Sequence, residues 1–265
     1  MASTNPLFIL PGAMAERGEK LAAGLHASFT LGAGQFCTKP GLVFVNEDAS
    51  STNFLATLRQ KVTDNPSFTL LTAGIATSFG REASKREKSL TMPRAITGAP
   101  ASSGGAAAAL ATLYETDISG FAADPSLAEE HFGPSTIVIR YSEKEQILKC
   151  ASELKGHLTA TIHGTPEDLA EYSELIRILE TKVGRIVFNG FPTGVEVSHA
   201  MIHGGPYPAS TDSRTTSVGS LAIFRFARPV CYQDFPNEAL PAELKNENPL
   251  GIWRLIDGEC IKESS

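Results

Sequence analysis

The clearest pattern along the chain lies between residues 135 and 190. STIVIRYS, LTATIHG and GRIVFNG are short stretches that read as strands. Between them, EKEQILKCASELKG and PEDLAEYSELIRILETKVG carry apolar residues at helical spacing. Strand, helix, strand, helix, strand at this spacing predicts parallel strands joined by right-handed crossovers. Glu143, Glu167 and Asp168 fall early in the two helices, where acidic side chains complement the helix dipole.

The N-terminal third is less regular. AMAERGEKLAAGL, preceded by Pro11 and Gly12, predicts a helix, and LHASFTLGAGQFCTKPG then reads as irregular, broken by Gly32, Gly34, Pro40 and Gly41. GLVFVNE predicts a strand covered on both faces. TNFLATLRQKVTD predicts a helix capped by Ser50 or Ser51 and ended at Asn65–Pro66. SFGREASKREKSL reads as a charged surface helix, and the small-residue stretch GAPASSGGA, 98–106, as a loop. Beyond Asn189 the chain turns glycine- and proline-rich, then enters a more apolar run, SVGSLAIFRFARPVCY, and a polar tail. The expected fold is α/β, a parallel-rich open sheet flanked by helices, with residues 1–265 as one domain.

Composition narrows the function classes. The chain is 42% hydrophobic, enough for a sizeable core. Its net charge is -6, from 23 basic and 29 acidic residues, which argues against a general nucleic-acid binder. The four cysteines are scattered and form no CxxC pair, so a reducing compartment is the simpler reading. The apolar patch Leu7 to Leu10 stops at Pro11, too short for a membrane span. A soluble cytoplasmic protein with no membrane partner is expected.

Cys37 is the first candidate for chemistry. Glycines precede it and Pro40–Gly41 follow, so the turn either presents a reactive thiol or buries an inert one. Cys150, Cys231 and Cys260 read as filler. His199 and His203 are four apart, but no HExxH glutamate lies between them, and no metal site is expected. A cysteine–histidine pair stays open, with nothing to select among His131, His163 and the others. Glu129 and Glu130 precede Phe132 and a Gly-Pro turn. Either they end a solvated helix, or a carboxylate accepts from a sugar hydroxyl while Phe132 supports a flat ring. No glycine-rich phosphate loop or Walker lysine opens a βαβ unit.

GQFCTKPG at 34–41, EEHFGP at 129–134 and the stretch from Gly184 to Gly219 together resemble the catalytic half of an aldehyde dehydrogenase. The tail RPVCYQDFPNEALP, 228–241, is similar to one branch of that family, acting on a semialdehyde. The resemblance implies that Cys37 is the nucleophile, passing through a thiohemiacetal and a thioester, with its backbone N–H in the oxyanion hole. It implies that Glu130 holds the nicotinamide ribose of NAD or NADP and that Phe132 lies beside the ring. His131 departs from the isoleucine common at that place. Phe36 and Thr38 would shape the pocket, and Phe191, Pro192, Thr193, Gly194 and Val195 would line the substrate tunnel. The family's general-base glutamate would fall just ahead of the STNP segment at 3–6; Glu16 and Glu19 do not match it. The chain is therefore expected to be a half enzyme that binds no cofactor by itself and is inactive alone. Expected partners are a small aldehyde, the other half, or further copies through the run Phe224 to Cys231. Arg214, Arg225 and Arg228 either attract a dicarboxylate-type semialdehyde or are ordinary surface arginines.

Overall fold

The computed structural model describes residues 2–89, 94–99 and 105–262. The chain divides into two compact units, residues 1–225 and 226–265. In the first, the elements in chain order are β1 (Leu7–Ile9), α1 (Pro11–Thr30), β2 (Leu42–Asn46), α2 (Ala49–Thr63), β3 (Phe68–Thr69), α3 (Ala73–Glu87), β4 (Arg94–Thr97), β5 (Ala108–Ala109) and β6 (Thr112–Asp117). There follow α4 (Ile118–Ala123), β7 (Ser135–Tyr141), α5 (Lys144–Glu153), β8 (His157–His163), α6 (Pro166–Glu171), α7 (Ser173–Glu180) and β9 (Val183–Phe188). Most of the loop expected at 98–106 falls outside the described residues.

Seven strands form one sheet in the order β4-β6-β7-β2-β1-β8-β9. Every pairing is parallel except β4 with β6. The α/β expectation therefore holds, with one rearrangement. β7 and β8, consecutive in the sequence pattern, are separated in the sheet by β2 and β1. The apolar patch Leu7–Leu10 supplies that inserted central strand. Its side chains alternate between two cores, as a pleated strand buried on both faces requires. Phe8 and Leu10 join the core beneath α5 and α7, with Phe8 stacked on Phe44 at 4.9 Å; Leu7 and Ile9 join the core beneath α1 and α2.

Three local expectations are corrected. Asp48, not Ser50 or Ser51, caps α2, its Oδ1 accepting from Ser51 N at 2.9 Å. The helix expected over 166–184 breaks at Tyr172 into α6 and α7. The first half of the stretch read as irregular, His26 to Thr30, continues α1.

Asp168 anchors the end of α1 nearest the sheet. Its Oδ1 accepts from Gly12 N and its Oδ2 from Ala13 N, both at 3.0 Å, so a carboxylate faces the positive end of the helix. A Cβ at Gly12 would lie 2.7 Å from Oδ2. Among the described residues, no helix is long and apolar enough to cross a membrane.

The second unit is small. β10 (Arg254–Ile256) and β11 (Glu259–Ile261) form an antiparallel hairpin. Its turn residues Asp257 and Gly258 both have positive φ, as a two-residue hairpin prefers. The apolar run near the C-terminus is exposed, with Phe224 and Ile223 in a short 3₁₀ turn, Ser220–Arg225, of the first unit. Phe226 and Val230, in the second, are exposed as well.

Candidate active site

After α1 the chain makes a tight turn through Leu31–Gly34 in which Gly32, Ala33 and Gly34 all have positive φ. Gly34 is forced by crowding as well as by conformation. A Cβ there would lie 2.1 Å from the carbonyl oxygen of Gly133. The turn ahead of Cys37 and the EEHFGP segment thus meet backbone to backbone. Cys37 follows on the surface, its thiol exposed.

The frame beneath Cys37 is buried and polar. Asn5, held at φ 45°, donates through Nδ2 to the carbonyls of Cys37 (2.9 Å) and Lys39 (3.0 Å). Its Oδ1 accepts from Ser3 Oγ (2.7 Å) and from Thr159 N and Oγ1 on β8. Thr4 O accepts from Gly41 N at 2.7 Å. The STNP segment therefore clamps both ends of the Cys37 loop to the central strands. Thr38 is buried within this frame, whereas Phe36 is partly exposed and packs over Gly32.

One histidine reaches the thiol. His203 Nε2 lies 3.3 Å from Cys37 Sγ. Its backbone N–H donates to Thr216 Oγ1 at 2.8 Å, and its carbonyl accepts from Ser217 N. Partial burial, and secondarily the charge of Arg185, push the imidazole below the ordinary histidine range. The ring is neutral at neutral pH, and an unprotonated Nε2 can accept the thiol proton. The two residues are 166 positions apart in the chain, which is why sequence reasoning selected no partner. His199 does not join them, and no cluster of metal-ligating side chains occurs among the described residues.

Arg185 on β9 organises the same side. It donates to the carbonyls of Pro192 (2.9 Å) and Gly194 (3.2 Å), and its charge is felt by His203. Thr193 Oγ1 meets Ser28 Oγ of α1 at 2.8 Å, while Phe191 packs against Gly24 and the ring of His163. Val195 is exposed. Of the arginines weighed from sequence, Arg214 pairs with Asp212, and Arg225 and Arg228 are exposed.

On the opposite side, Glu130 is mostly buried and accepts from Ser3 N at 3.3 Å. Burial raises its carboxyl, an effect opposed by that hydrogen bond and by Lys39. Phe132 presents a partly exposed ring. His131 points inward instead: it stacks on Phe79 at 4.3 Å, and its Nε2 bonds the Phe79 carbonyl at 3.0 Å. Burial brings it down to about 3, so it is a neutral packing residue.

Residues 1–216 match the sequence model of the aldehyde dehydrogenase family. The chain is 41% identical over 260 residues to alpha-ketoglutaric semialdehyde dehydrogenase 2 of Azospirillum brasilense, covering 98% of this chain and 49% of the relative. It is 42% identical over 266 residues to the alpha-ketoglutaric semialdehyde dehydrogenase of Acinetobacter baylyi, covering 97% and 49%. The chain thus spans about half the length of the curated relatives it matches. Among solved structures, proline utilization A from Bdellovibrio bacteriovorus shares the fold with a TM-score of 0.70 at 20% identity, covering 88% of this chain and 23% of that one. A 3,6-anhydro-L-galactose dehydrogenase, solved in complex with NAP, gives 0.66 at 17% identity, covering 85% and 46%. By its sequence and by its sheet of parallel strands, this chain belongs to the aldehyde dehydrogenase family.

Proposed function

We propose that the chain is the catalytic half of an NAD(P)-dependent aldehyde dehydrogenase whose substrate is α-ketoglutaric semialdehyde. The observation that carries the chemistry is the exposed Cys37 thiol 3.3 Å from His203 Nε2, on a frame of buried hydrogen bonds. Sγ attacks the aldehyde carbon while its proton passes to Nε2, giving a thiohemiacetal on Cys37. The backbone N–H of Cys37 faces the oxygen that becomes negative. A bound nicotinamide supplies the hydride acceptor that makes this adduct a thioester. Once the His203 imidazolium has released that proton to solvent, water attacks the thioester, His203 takes a water proton, and the carboxylate leaves as the thiolate is restored.

The residues present fit part of such a cofactor. Glu130 offers an acceptor for a ribose hydroxyl, and Phe132 offers a ring face. The α1 N-terminus, the place of a pyrophosphate in a dinucleotide-binding βα unit, is filled by the Asp168 carboxylate. This filled site supports the reading that these residues do not sustain dehydrogenation alone and act together with the half matching the rest of the relatives.

The test follows formation of reduced nicotinamide from NAD or NADP with the purified chain and α-ketoglutaric semialdehyde. The chain alone should give none, and adding the complementary half of a relative should restore it. Robust reduction by the chain alone would overturn the half-enzyme reading. An uncharged aldehyde of equal length, used as well as the semialdehyde, would overturn the substrate.

A second reading is favoured by the same thiol–imidazole contact. A cysteine–histidine pair suffices for acyl transfer to water without any hydride acceptor. Multiple turnovers on an activated ester or thioester, without nicotinamide, would favour it.

A further inference from the structure

Lys39 is two residues from Cys37, yet its side chain is completely buried. Nζ donates to the carbonyls of His131 (2.9 Å) and Ser135 (2.7 Å), which bracket the Phe132–Gly133–Pro134 turn. The Lys39 carbonyl shares Asn5 Nδ2 with that of Cys37. A continuous path of hydrogen bonds therefore runs from the nucleophile through Asn5 and Lys39 to the segment bearing Glu130. From α3, Arg86 donates to the Glu129 carbonyl at 2.7 Å and fixes the other end of that segment.

We propose that Lys39 is the positioning residue that locks the nucleophile loop, residues 35–41, to the Glu130-bearing segment, residues 127–136, so that the two open and close as one unit. Its bearing on catalysis rests on the roles given above to Cys37 and Glu130; the lock itself rests on the hydrogen bonds. A cationic or neutral amine both donate, so the lock persists on deprotonation. What changes with pH is the cost of opening.

The groups facing Lys39 fix the sign. Burial brings its ammonium down to about 7, with Arg86 of α3 acting the same way and Glu130 opposing. His131 is held at about 3, burial raises Tyr114 of β6, and Cys37 shares the loop. Opening returns Lys39 to water and to the ordinary lysine value near 10.5. Between these values the open form binds one more proton than the closed form. The opening constant therefore falls about tenfold for each pH unit above 7.

Amide hydrogen exchange of the full chain reads this directly. The exchange chemistry itself accelerates about tenfold per pH unit, cancelling the falling opening constant. Peptides covering 35–41 and 127–136 should share one exchange rate that stays flat from pH 7 to 9. Peptides from β8 and α5 should accelerate normally. In Lys39→Met both site peptides should exchange faster than in the wild type and regain the normal pH slope; Cys37 remains in that variant, so the slope change belongs to Lys39. The wild-type profile stands by itself if the variant does not fold. Independent rates in the two site peptides, a normal wild-type slope, or a flat slope in every peptide would overturn the lock. Failure of hydride transfer in a reconstituted enzyme would sink the dehydrogenase reading and leave this pattern untouched.

Discussion

Cys37 sits between two differently built walls. The wall toward Glu130 is internal: Asn5, Lys39 and Arg86 send buried donors to main-chain carbonyls, and Gly34 lies against Gly133. The wall toward His203 has no regular element between Asn189 and Gly219. It is pinned by Arg185 to Pro192 and Gly194 and by Thr216 to His203. Under the proposed mechanism, the first wall fixes where the sulfur stands and the second brings the group that takes its proton. Damage to the first should therefore appear as lost stability, and damage to the second as lost reactivity.

The largest effect should come from Gly34→Ala. The new Cβ meets backbone rather than a movable side chain, at a positive φ, and stability should fall by about 3 kcal/mol in urea unfolding. A variant as stable as the wild type would show that the turn can move away from Gly133. Next comes Asn5→Ala, which leaves the buried Lys39 and Thr159 partners unmet and should cost about 2–3 kcal/mol by the same measurement.

On the other wall, His203→Ala should leave the unfolding midpoint nearly unchanged. It should slow acylation of Cys37 by an activated ester by about 10²-fold. In the wild type that rate should decline with acid at a midpoint below the ordinary histidine value, because burial and Arg185 favour the neutral ring. An equal rate in the variant would remove His203 from the chemistry.

A global effect concerns His157 and His163, which burial holds at about 4. Their unfolded counterparts titrate near 6.5. Folding stability is thus full above pH 6.5 and is lost as pH falls toward 4, by at most about 1.4 kcal/mol per unit for each ring. Unfolding midpoints measured across that range check the sign.

The two walls also differed in how far they could be read from sequence. Gly34 beside Cys37 pointed to a close backbone approach, and Gly133 is what approaches it. The runs of β2, β7, β8 and β9 were visible because each strand is long enough to show itself. β1 has three residues, too few for any periodicity, yet it holds the centre of the sheet. His203 was visible only as one of a pair four apart; its partnership depends on folding that spans 166 positions. Lys39 gave no signal, because a lysine beside a proline reads as surface until its carbonyl partners are known.

The most direct test of the account is to treat the chain with an activated acyl ester and locate the acyl group by peptide mass. Acylation confined to Cys37, abolished in Cys37→Ser and slowed in His203→Ala with both variants folded, is the predicted result. Acylation spread over other residues, or a Cys37 rate indifferent to His203, would contradict the assignment of this pair as the reacting centre.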